Sequence, residues 1–145
     1  MNVSALLIIA SLLCVTSRLF AGDAVAIGYN KNGVWTSVTY YCSSKPKGAK
    51  DYKTENEARE EALRDLRKRG GDQTARSEIL SSTDATGFVA VGRGKDKSGK
   101  DLNVVGRGKS QKEADAKAFE QLKASGATKD QKIVYRYHSY GADSE

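Results

Sequence analysis

The densest run of cationic side chains is Arg93-Gly94-Lys95-Asp96-Lys97-Ser98-Gly99-Lys100, followed closely by Arg107, Lys109 and Lys112. Lysine and arginine at this density attract phosphate, sulfate and carboxylate groups. Arg93, Lys95, Lys97, Lys100, Arg107, Lys109 and Lys112 are therefore the candidate contacts for an anionic partner. A solvated hairpin is the plainer use of the same residues, and the sequence leaves both open.

Other spacings fall short of chemistry. Gly108-Lys109-Ser110 has the ending of a phosphate-binding P-loop, but the required first glycine is Asn103. Gly94 to Gly99-Lys100 has the right spacing, yet Asp101 stands where Ser or Thr is needed. The one histidine, His138, has no Ser, Cys or Asp constellation legible around it. One His and two Cys are too few for a Cys/His zinc site. Most carboxylates fall on helix faces rather than in apolar surroundings that would raise a pKa for acid–base work. The reading is no enzyme, no cofactor and no metal.

Trp35, Tyr40, Tyr41, Tyr135, Tyr137 and Tyr140 fall on predicted strands. Alternation puts Tyr135 and Tyr137 on one face and Val134 and Arg136 on the other. An exposed aromatic face would suit a glycan or a protein groove; core or cross-strand packing is the competing use.

What must position these residues is one small domain. The chain has 145 residues, 24 basic and 18 acidic, for a net charge of +6. That balance biases it toward polyanions: envelope polymers, lipid headgroups or nucleic acid. Residues 3–15, VSALLIIASLLCV, are uncharged and apolar all round. The run is too short for a transmembrane helix and has the length of a signal-peptide core. Leu19-Phe20-Ala21 predicts cleavage after Ala21, so that 1–21 is a signal peptide and 22–145 a periplasmic or secreted chain without a membrane span. Cys14 would leave with the peptide. Cys42 would remain alone, as a buried thiol or in an intermolecular bridge.

The mature chain contains one pattern twice, over about 22–82 and 83–145. Thr54-Glu55-Asn56-Glu57 and Ser110-Gln111-Lys112-Glu113 are capping boxes. Ala58, Ala62, Leu63 and Leu66 match Ala114, Ala118, Phe119 and Leu122, and Gly70 matches Gly126, each glycine set to end its helix in a left-handed cap. Before each helix lies a hairpin, AVAIGYNKNGVWTSVTYYC or GFVAVGRGKDKSGKDLNVVGRG. After each lies a further strand, at 74–82 and 132–140. The lysine-rich stretch 43–53, with Pro46, reads as an exposed loop, and the tail GADSE as a frayed end. The predicted fold is α+β: a tandem strand–strand–helix–strand repeat forming one mainly antiparallel sheet, with both helices packed on one face.

The A-I/V-G hairpin and the helix opening T/S-x-x-E-A-x-x-x-A, given twice after a signal peptide, resemble the domain-of-unknown-function 4189 family of small exported bacterial proteins. The resemblance covers most of 24–140. It implies a periplasmic or secreted protein and transfers no catalytic residue. Members commonly carry paired cysteines, where this mature chain has Cys42. Separately, LNVVGRGKSQKEADAKAFEQLKASG resembles the end of a double-stranded-RNA-binding domain, which would make Arg107, Lys109 and Lys112 phosphate contacts. The consecutive lysines of that family are replaced here by Gln111-Lys112-Glu113-Ala114-Asp115, and Glu113 and Asp115 repel phosphate.

The function expected from the residues is binding in or beyond the cell envelope, to an anionic envelope polymer or an envelope protein. An inhibitor or immunity-type factor belongs to this class. A nucleic-acid-binding module is the alternative.

Overall fold

Asp23, Val25, Ile27 and Tyr29 alternate with Ala24, Ala26 and Gly28, which gives the first apolar run two different faces. In the computed structural model, which describes residues 22–41, 55–70, 74–83 and 86–139, this run is β1 (Asp23–Tyr29). It is followed by β2 (Trp35–Tyr41), α1 (Glu55–Gly70), β3 (Arg76–Thr83), β4 (Gly87–Lys95), β5 (Asp101–Gly108), α2 (Gln111–Ala124) and β6 (Lys129–Ser139). The expectations for residues 1–21, Cys14, Cys42, the 43–53 stretch, the Thr54 cap, Tyr140, the tail and the side chains of Tyr40 and Tyr41 lie outside the described residues.

The chain is α+β, and its strands are antiparallel throughout, but they form two sheets of three rather than the one sheet expected. Their orders are β2-β1-β3 and β5-β4-β6. The reason lies in the first strand of each set. β1 and β4 are each flanked on both sides by strands of their own half, and each is apolar on both faces. Ala24 and Ala26 meet Ala58, Ala62 and Leu66 of α1. Ala90 meets Ala114 and Ala118 of α2. On the other faces Val25, Val89, Val91 and Val105 meet one another, with Val38, Leu80, Val134 and Tyr137 around them. The order of layers is thus helix, sheet, sheet, helix. One shared sheet with both helices on one face would leave the valines in water, at a cost of about 1.5 kcal/mol or more for each buried side chain.

Two bulges re-aim side chains. Tyr29 is opposite Trp35 and Gly28 opposite Ser37, so Thr36 is an extra residue in β2. It moves Trp35 to the face that Val38 presents to the second sheet. Val91 is opposite Tyr135 and Gly92 opposite Ile133, so Val134 is extra in β6. Val134 consequently joins the valine layer and does not share a face with Arg136, whose guanidinium grips Asp115 of α2 at 3.0 and 3.1 Å.

The hairpin tips are twins. Asn30 Oδ1 accepts from the N–H of Asn32 (2.9 Å) and Val34 (3.0 Å), with Gly33 at φ 73°. Asp96 Oδ1 accepts from Ser98 Oγ (2.6 Å) and the Lys100 N–H (3.0 Å), with Gly99 at φ 85°. The helix stops differ. Gly126, at φ 89°, closes α2 by donating to Lys123 O while Ala127 donates to Leu122 O. Gly70 remains the last residue of α1 and is not in the left-handed region.

Candidate functional site

The seven candidate cations do not form one surface. β5 has 8 residues, which separates its ends by about 25 Å at roughly 3.4 Å per residue. Arg93, Lys95, Lys97 and Lys100 lie toward one end of the β4–β5 hairpin, and Arg107, Lys109 and Lys112 toward the other.

Both arginines are held by buried carboxylates. Arg93 donates from Nε and Nη2 to Asp101 Oδ1 at 3.0 and 2.8 Å and stacks 4.6 Å from the centroid of Trp35. Asp101 Oδ2 accepts from the Trp35 backbone N–H at 2.9 Å, so this group ties β4 and β5 to β2. Arg107 donates to Asp23 Oδ1 at 2.9 Å and to Ser81 Oγ at 3.0 and 3.1 Å. The Tyr137 hydroxyl donates to the other oxygen of Asp23. Asp23 is fully buried. Burial pushes its carboxyl above the usual carboxylate range, against the opposing pull of Arg107 and the Tyr137 hydrogen bond. These pairs fasten the two sheets together and leave the arginines little freedom to meet a ligand.

The start of α2 carries its own anion. Ser110 caps the helix by accepting from the Glu113 N–H at 3.2 Å, and Glu113 Oε2 accepts from the Lys109 N–H at 2.8 Å. Lys117 Nζ lies 2.7 Å from Glu113 Oε1. The Lys117 hydrogen bond, with that of the Lys109 N–H, holds the Glu113 carboxyl below its usual range. Arg136, followed by Gln111, does the same for Asp115. Lys109 and Lys112 are exposed beside these carboxylates, so a phosphate here meets an occupied helix terminus.

The opposite end is different. There the lysines have neighbours that sequence reading missed. Lys100 lies against Gly33 of the first tip, 3.9 Å from where a β-carbon would stand, which brings the two tips and Lys31 to one end of the molecule. Lys129 pairs opposite Lys95, and Lys132 opposite Arg93. Lys31, Lys97, Lys100, Lys129 and Lys132 are all exposed. The acids among them are few. Asp96 is spent on its own turn, and hydrogen bonds from Ser98 Oγ and then the backbone keep its carboxyl low. Asp130 lies 3.8 Å from Lys95. A hollow of about 310 Å³ runs between Arg93, Lys95, Asp130 and Lys132. The twin motifs N-K-N-G and D-K-S-G were the available sign that the first tip and Lys31 belong with the second.

Of the remaining candidates, His138 packs edge-on against Phe88, with ring centroids 4.7 Å apart. Among the described residues no three His, Cys, Asp or Glu side chains gather to hold a metal, and no helix is long and apolar enough to cross a membrane. No protein-family model, curated protein or solved structure matches the chain.

Proposed function

We propose that this protein is exported, to the periplasm or beyond the cell, and binds an anionic envelope polymer through its lysine-rich end without catalysis of its own. One observation carries the reading. Lys31, Lys95, Lys97, Lys100, Lys129 and Lys132 are gathered at one end of the double sheet, and among the described residues half-buried Asp96 and exposed Asp130 are the only acids set among them in the two tips and the facing start of β6. Lysines on two rigid turns and a strand present mobile ammonium groups on a fixed base, which suits repeated phosphates or carboxylates along a polymer. The apolar, uncharged stretch 3–15 and the resemblance to a family of small exported proteins support the address. An inhibitor or immunity-type role is the class of activity such binding would serve.

The test is a salt titration of binding to long-chain polyphosphate and to a polyuronate. Lys95→Glu/Lys97→Glu/Lys100→Glu should weaken binding tenfold or more and reduce the slope of log affinity against log salt by about two to three. Lys109→Glu/Lys112→Glu at the far end should leave both nearly unchanged. Equal affinities for both variants and the native chain would overturn the assignment. The address has its own measurement. The intact mass of the chain from the envelope fraction should correspond to a protein beginning at Gly22; a chain retaining residues 1–21 in the cytoplasm would reject export.

A further inference from the structure

Trp35 is the only tryptophan of the chain, and the bulge at Thr36 turns it toward the second sheet. Its indole Nε1 is buried and has no hydrogen-bond partner. Thr39, two strand positions from Ser37 and 3% exposed, has a buried Oγ1 that also lacks one. An indole N–H can only donate, and buried polar groups nearly always find a partner. Both residues line the same cleft, about 370 Å³ in volume, together with Val38, Arg69, Val134 and Tyr135. It opens between the edge strands β2 and β6, and its size is that of a small-ligand site.

A single difference between the two halves makes room for it. Thr39 is opposite Ala26 on the face that α1 covers, and Gly106 is opposite Ala90 on the face that α2 covers. A β-carbon on Gly106 would stand 2.2 Å from Ala114 O, so the glycine allows α2 to lie directly on β5. Thr39 denies α1 that approach to β2. Arg69, in the last turn of α1, forms the rim on that side.

The lining selects its ligand. Trp35 and the half-exposed ring of Tyr135, with two valines, offer apolar surface to the C–H face of a sugar ring. Trp35 Nε1 requires an acceptor oxygen, and the Thr39 hydroxyl complements a ligand hydroxyl. The Arg69 side chain, 64% exposed and paired through Nε with Asp65 Oδ2 at 2.7 Å, brings a guanidinium to the rim, where its other N–H donors suit a carboxylate. The geometry points to a binding site for a short acidic saccharide in this cleft. Its ring stacks on Trp35 and Tyr135, a ring or amide oxygen accepts from Trp35 Nε1, a hydroxyl pairs with Thr39, and its carboxylate meets Arg69. The site is separate from the lysine-rich end, and the Lys95/Lys97/Lys100 variant leaves it unchanged.

The experiment titrates the full chain with a tetrasaccharide of alternating glucuronate and N-acetylglucosamine. Tryptophan fluorescence and the indole N–H resonance are read together, and each reports Trp35 alone. A saturable fluorescence change with movement of the indole resonance is expected. Thr39→Val should weaken binding about tenfold, the loss of one buried hydrogen bond. Arg69→Gln should do the same for this ligand but not for the neutral tetramer of N-acetylglucosamine, which should bind more weakly to the native chain. No movement of the indole resonance at millimolar saccharide overturns the site. Binding that both substitutions leave intact, or equal binding of the neutral tetramer, overturns the acidic-saccharide assignment.

Discussion

Gly106→Ala is expected to lower stability by about 3 kcal/mol, on the order of 10 °C in Tm for a domain of this size. The reason is contact with backbone rather than with side chains that could step aside. The added β-carbon would stand 2.2 Å from Ala114 O, 2.4 Å from Ala118 N and 3.0 Å from Ala118 Cα. No rotamer relieves this; α2 must lift from β5, and its contact with Ala90 through Ala114 and Ala118 loosens with it. Gly99→Ala is the comparison. Nothing lies within 4 Å of a β-carbon there, but φ is +85°, so the cost is conformational, about 1 kcal/mol. Thermal melts of both variants check the ranking. A Gly106→Ala protein that melts within a degree or two of the native chain would mean that α2 can shift freely.

Asp23→Ala is expected to cost about 3 kcal/mol by chemical denaturation. It leaves Arg107, whose side chain is only 27% exposed, without its carboxylate, and the Tyr137 hydroxyl without its acceptor. Asp23→Asn keeps an acceptor oxygen and sheds a charge that burial disfavours, so it should match or exceed the native stability near neutral pH. Acid supplies a second readout. The folded chain holds the Asp23 proton more tightly than the unfolded chain, because burial raises this carboxyl above its ordinary 3.8. The stability it contributes is therefore fully present below pH 3.8 and lost as pH climbs through the folded value. Native stability minus Asp23→Asn stability should fall as pH rises above 3.8, with the other carboxylates cancelling in the difference. A flat difference, or an Asp23→Ala chain as stable as the native one, would contradict this account of the pair.

Local features were the legible part. The capping box at Ser110 and the Gly126 stop follow from backbone rules acting over a few residues. So do the two glycine-closed tips, and the α+β class follows from periodicity. What escaped was set by distant partners. Strand alternation gives no sign of an extra residue, so it treats Thr36 and Val134 as regular and sets Val134 wrongly on the face of Arg136. Arg93 and Arg107 looked like surface cations because their carboxylates are on other turns of the chain. Yet Asp23 alternates with Val25 and Ile27, and a charge on a face that must be buried demands a cation. The lysine-rich end was half visible, since Lys31 and Lys129 join Lys97 only once the sheets are stacked.

The strand pairing has a consequence for how copies of the chain assemble. Every hydrogen-bonded strand neighbour lies within its own half, residues 23–83 or 87–139. Among the described residues the halves meet through the valine layer and side-chain ties such as Asp23 to Arg107 and Tyr137, Ser81 to Arg107, Trp35 to Asp101 and Arg93, and Tyr29 to Asn103 at 3.2 Å. Either half can therefore form its hydrogen bonds before the other exists. The complement to its bare valine face is then the second half of any chain at hand, its own or a neighbour's. Refolding at high concentration thus sets intramolecular closure against exchange of halves, and the closed dimer that results would contain every contact of the monomer and no new one.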